Sequence, residues 1–175
     1  MIRSSGQGLV LCMNLNRSNR FVLFHAVIPT VLISFTINFL LSLGTFGRME
    51  SVAAWGAEGL GTELVITSFL LPFITSLILF PVTRLAYRKG KVDRVDVFFP
   101  IASVLPQNMF GASLVVGLIV VSLFGSSIAT LIGLSDAAEY LPSSAIAVKT
   151  GFATLLALIV STIVGYLALG QLEQV

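Results

Sequence analysis

The chain has 175 residues, 56% of them hydrophobic and 10% charged, with a mean hydropathy of +1.00. Soluble domains carry about 25% charged residues, so too little charge is present to cover a water-facing surface. The net charge is +2, no nucleic-acid partner is expected, and the length suits one domain over residues 1–175.

The N-terminal tail carries Arg3, Arg17 and Arg20. Its apolar stretch, Gly8–Met13, is too short for the h-region of a removable signal peptide, so the first long helix is expected to act as an uncleaved anchor. Met13 is an alternative start to Met1. Cys12 is the single cysteine and His25 the single histidine. Together they exclude an internal disulfide and a bis-histidine haem within one chain.

A bilayer core takes about 20 apolar residues in helix, and four stretches reach that length. They run roughly over Phe21–Leu43, Leu64–Ala86, Met109–Leu134 and Ala145–Gly170. In lipid the backbone must satisfy its own hydrogen bonds, so each is predicted to be a helix. Nothing shows the short alternating segments of a membrane barrel. The expected fold class is all-α, an integral membrane four-helix bundle.

The first span carries Thr30, Ser34, Asn38 and Ser42 at steps of four. Hydroxyls can return their hydrogen bond to the carbonyl four residues back. The Asn38 amide needs partners from water or another helix, and it is expected to lie against another helix. The loop Gly44–Glu63 has one cation, Arg48, beside Glu50, Glu58 and Glu63.

The second span adds Thr67, Ser68, Thr75 and Ser76 around Pro72, with Pro81 further on. Proline removes a backbone donor and can kink a helix; Pro29 is placed likewise in the first span. A kink at Pro72, flanked by Ser68 and Ser76, would free carbonyls at mid-membrane. Thr30, Ser34, Asn38, Ser68, Pro72 and Ser76 therefore form a candidate polar intramembrane site, either polar glue of the bundle or the lining of a narrow path or ligand pocket.

The loop Tyr87–Asn108 opens with Arg88, Lys89, Lys91 and Arg94, after Arg84 in the preceding span. It then turns apolar through Phe98, Phe99 and Ile101, as an interfacial segment or an ordinary loop would. The third span carries Ser122, Ser126 and Thr130 and the small residues Gly125, Ala129 and Gly133. The loop Ser135–Ser144 holds Asp136 and Glu139, and in Leu141-Pro142-Ser143-Ser144 the serines are candidate helix caps.

The fourth span carries Ala153, Ala157, Ser161 and Gly165 at steps of four. This is a candidate helix-packing face, along which another backbone can approach closely. It serves either the chain's own bundle or a homodimer. Glu63 and Lys149 fall at the same ends of the second and fourth spans, as interfacial anchors or an ion pair. Val65–Phe69 and Val148–Phe152 echo one another, which two tandem helical hairpins would explain.

The cation excess of the tail and middle loop places them in the cytoplasm under the positive-inside rule. The expected topology is N-in and C-in, in the cell inner membrane. No Asp or Glu lies mid-span, where proton-coupled carriers need an ionisable group. No nucleotide loop, metal cluster or nucleophile–base pair is visible, so catalysis, cofactors and metals are not expected.

Phe69-Leu70-Leu71-Pro72-Phe73-Ile74-Thr75, then Pro81, Arg84 and Arg88-Lys89-Gly90-Lys91, with Asn38 in the first span and Trp55 in the first loop, form a pattern over about half the chain. It resembles a group of small bacterial inner-membrane proteins with four predicted helices. The resemblance implies no activity. The leading expectation is a non-enzymatic multi-pass membrane protein. It would act in the lipid bilayer through helix contacts, as a homo-oligomer or an accessory subunit of a membrane-protein partner. The alternative is a small transporter or channel with a polar path around Asn38 and Pro72.

Overall fold

The computed structural model describes residues 20–92, 106, 108–135 and 138–170. It has four long helices: α1 (Val22–Phe46), α2 (Leu60–Arg88), α3 (Met109–Leu134) and α4 (Pro142–Gly170). All four are long and apolar enough to cross a bilayer. Cys12, Arg3, Arg17, Arg94, Asp136 and the apolar loop with Phe98, Phe99 and Ile101 lie outside the described residues.

In an apolar setting the backbone of such runs bonds best to itself, and the hydroxyls of these helices do the same. Thr36 donates to Leu32 O (2.9 Å), Thr67 to Glu63 O (2.7 Å) and Ser122 to Leu118 O (2.7 Å), each four residues back. A hydroxyl satisfied inside its own helix needs nothing from outside.

Helix ends are set by local chemistry. At the end of α2, Gly90 takes φ +63, a left-handed conformation that suits glycine. Its N–H donates to Tyr87 O (2.8 Å) and that of Lys91 to Ala86 O (3.0 Å), a Schellman termination. α4 opens on Pro142 itself. The residue lacks an N–H that a first turn leaves unbonded anyway. Ser143 and Ser144 thus fall inside the first turn and are not its caps.

Within α1, residues Val22–Val27 form a wide π turn, in which Ile28 N–H donates to Leu23 O, five residues back. The widening comes just before Pro29, whose ring would crowd the carbonyl four residues earlier in a regular helix. α2 passes through both Pro72 and Pro81 without a break.

α4 is the hub. It lies along both α1 and α2, and α2 lies in turn along α3. Among the described residues, α1 makes only sparse contact with α2, and α3 with α4. The tandem hairpins expected from the sequence echo are therefore not packing units: each span finds its main partner in the other half of the chain. The spatial order is α1–α4–α2–α3, more open than a closed bundle.

At one end the first and third loops meet. β1 (Val52–Ala53) pairs antiparallel with β2 (Glu139–Tyr140), and Ala54 N–H donates to Ala138 O (2.9 Å). Phe46 and Val52 are fully buried beneath this pair, with Leu60, Leu64, Ile128 and Ala145. A cap forms over the helix ends, and both acidic loops lie on one side of the helices.

Candidate functional site

The sparse contact between α1 and α2 leaves a groove. Its volume is about 370 Å³ and only these two helices line it. Ile33, Ile37 and Leu41 supply one wall and Leu70, Ile74 and Ile78 the other. Its polar groups are few: Thr30, Ser34 and Asn38 on α1, Thr67 and Thr75 on α2, and His25 at one end. The groove opens sideways, since Ile33 and Ile74 keep 58% and 49% of their surface exposed.

Asn38 is held by its own helix. Its Nδ2 donates to Ser34 O (2.9 Å) and Ser34 Oγ (3.3 Å). Ser34 Oγ donates in turn to Ala153 O of α4 (3.3 Å). A carbonyl only accepts, so Nδ2 is the end that turns toward Ser34. Asn38 lines the groove, and its Oδ1 has no protein donor among the described residues. Among the described residues the amide thus bonds within its own helix, and the link to α4 runs through Ser34.

Of the six residues of the candidate polar site, Thr30, Ser34 and Asn38 line the groove. Ser68, Pro72 and Ser76 do not. They form a separate, fully buried stripe of α2. Ser68 donates to Leu64 O (2.8 Å), while Ser76 Oγ has no hydrogen-bond partner among the described residues. Thr67 and Thr75, each one residue earlier, take the groove positions. A one-residue step turns a helical side chain by about 100°, and adjacent hydroxyls hide which of them faces the space.

The small-residue face of α4 is occupied within the chain. Ala153, Ala157 and Ser161 are fully buried. A Cβ added to Gly165 would come within 3.0 Å of Val22 Cγ1 on α1. The close approach that this spacing permits is made by α1, so the homodimer alternative on this face has no free surface. A similar approach joins α2 to α3, where a Cβ on Gly117 would sit 3.1 Å from the Phe69 ring.

Under the loop cap, Lys149 Nζ lies 2.7 Å from Glu63 Oε2 and 5.3 Å from the centroid of the Phe46 ring. The Lys149 side chain is 3% exposed and that of Glu63 26%. Lys149 is therefore not an interfacial anchor but the buried half of an ion pair that ties α4 to the start of α2.

No protein-family model, characterised protein or solved structure matches the chain.

Proposed function

We propose that this is a non-enzymatic multi-pass membrane protein that binds a membrane-dissolved ligand in the α1–α2 groove. The observation that carries the reading is the lining. An apolar trough with a few hydrogen-bonding groups, in the size range of small-molecule sites, is what an elongated apolar ligand requires. A sideways opening admits such a ligand from the bilayer without passage through water. Asn38 Oδ1 is the acceptor it would meet, and an unmet acceptor in lipid is costly. The transport path considered from sequence would need continuous polar walls, and this groove is mainly aliphatic.

Mass spectrometry of the protein released gently from native membranes tests this reading. The parent should carry one retained lipid-soluble adduct, and Ile33→Trp, which fills the groove from an exposed position, should carry none. Asn38→Leu should change stability by less than about 1 kcal/mol, since the amide bonds only its own helix, yet it should retain less adduct. An unliganded parent, or an Ile33→Trp protein with the same adduct, sinks the reading.

A second reading, an oligomer or accessory subunit working through helix contacts, is favoured by α3. Among the described residues it lies mainly along α2, and Leu118, Leu123 and Leu131 are exposed. A second chain that stays with the protein in mild detergent would support it.

The orientation we propose is N-in and C-in at the inner membrane, supported by Arg20, Arg84, Arg88, Lys89 and Lys91 at the end opposite Glu50, Glu58 and Glu139. Reporter fusions after Ala54, Lys91 and Val175 should read outside, inside and inside. An external signal at Lys91 overturns the orientation.

A further inference from the structure

We infer that the ligand of the groove is an anionic phospholipid, with one acyl chain along the trough and its phosphate at the basic end. This rests on the reading of the groove as a ligand site and adds the chemical class. The groove spans α1 from His25 to Leu41, roughly 24 Å at the rise of a helix. That is a long, narrow shape, suited to an extended hydrocarbon chain. A transmembrane helix about 10 Å across has no room in 370 Å³.

The two ends differ in charge. His25, Ile78 and Val82 mark one end of the lining. Beyond it lie the start of α1, with Arg20, and the end of α2, with Arg84, Arg88 and Lys89. Ile78, Val82, Leu85 and Lys89 follow one another at steps of four, three and four, so Lys89 continues the face of α2 that lines the groove. Arg20, Arg88 and Lys89 are exposed, and none is paired with a carboxylate among the described residues. Among the described residues the acidic ones, Glu50, Glu58, Glu63 and Glu139, are all at the other end. Arg48 is the one exposed cation described at that other end, which it shares with these carboxylates. An amphiphile that enters the trough thus meets an excess of cations at only one end, and an anionic headgroup there finds guanidinium and ammonium donors without a carboxylate partner among the described residues. A zwitterionic headgroup brings its own cation to the same place and gains less.

The full-length protein is reconstituted in vesicles of equal phosphatidylglycerol and phosphatidylcholine, then released for native mass spectrometry. Phosphatidylglycerol should be the retained lipid, at one copy per chain. Ile74→Trp, at an exposed lining position, should retain neither lipid. Arg88→Gln with Lys89→Gln should lower the preference for phosphatidylglycerol roughly thirtyfold, the factor expected for two surface cations, while a chain still occupies the groove. If that double variant keeps the full preference, or if the parent retains both lipids equally, the anionic assignment is overturned and the groove stands as a ligand site. If Ile74→Trp retains phosphatidylglycerol as the parent does, the lipid sits elsewhere and both readings fall. A retained second protein chain with no lipid overturns the inference in favour of helix contacts.

Discussion

Glu63→Gln should be among the most damaging single substitutions in this chain, at about 3 kcal/mol. Removing one partner of a buried ion pair leaves the other charge uncompensated, which typically costs about 3–5 kcal/mol. The lower end applies here because Glu63 keeps 26% of its side chain exposed. Lys149, at 3%, has no comparable access to water, and the Phe46 ring 5.3 Å away offsets only part of the loss. For a chain of this size the midpoint of thermal unfolding in detergent should fall by roughly 6–12 °C. The control is Glu63→Gln combined with Lys149→Met. The double variant leaves no uncompensated buried charge, and the amide at position 63, where the side chain is 26% exposed, keeps access to water, so it should melt near the parent. A Glu63→Gln protein that melts with the parent would show that Lys149 is compensated some other way.

Ala157→Ile should destabilise the protein by about 1–3 kcal/mol, the usual cost of overpacking a filled interface. Ala157 is fully buried, between Ala153 and Ser161, which are fully buried too. Ser34 reaches the Ala153 carbonyl from α1 at 3.3 Å, so added methyl groups would force α1 and α4 apart. Leu158→Ile, one position on, has a side chain 46% exposed and should be tolerated. Because α1 of the same chain fills this face, the loss of melting temperature should be the same at every protein concentration. A variant that instead converts a dimer to a folded monomer would place the contact between chains. Gly165→Leu should behave like Ala157→Ile, since even its Cβ would crowd Val22.

The number, type and approximate limits of the helices were readable because they depend on apolar run length alone. The helices reach a few residues further than the runs do: α2 begins at Leu60 and α1 ends at Phe46. Polar backbone near the bilayer surface still prefers its helical partner, so hydropathy underestimates the ends. The ion pair between Glu63 and Lys149 was visible as an alternative, because both residues lie at the same ends of their spans. The burial of Lys149 was not, since it depends on a cap built by loops that carry almost no periodic signal. Helix neighbours were not legible either. All four spans are apolar around most of their circumference, and such helices give no stripe that points at a partner. Hence the faint repeat suggested hairpins, while α4 in fact lies between α1 and α2. The groove itself follows from that arrangement, and of the six residues of the candidate polar site only Thr30, Ser34 and Asn38 line it.

The order α1–α4–α2–α3 also has a consequence in time. α1 leaves the ribosome first and α4 last of the four, about 100 residues later, which is roughly 5–20 s at typical elongation rates. Throughout that interval α1 lacks the helix it finally lies against, and Ser34 lacks the Ala153 carbonyl that it bonds in the finished protein. The nascent chain therefore waits with α1 on its own and with α2 and α3 as its nearest thing to a folded unit. Assembly completes only when the last helix arrives and slots between two that were already waiting. Premature termination before Pro142 would then yield a species with α1 unattached, one that membrane quality-control proteases should remove.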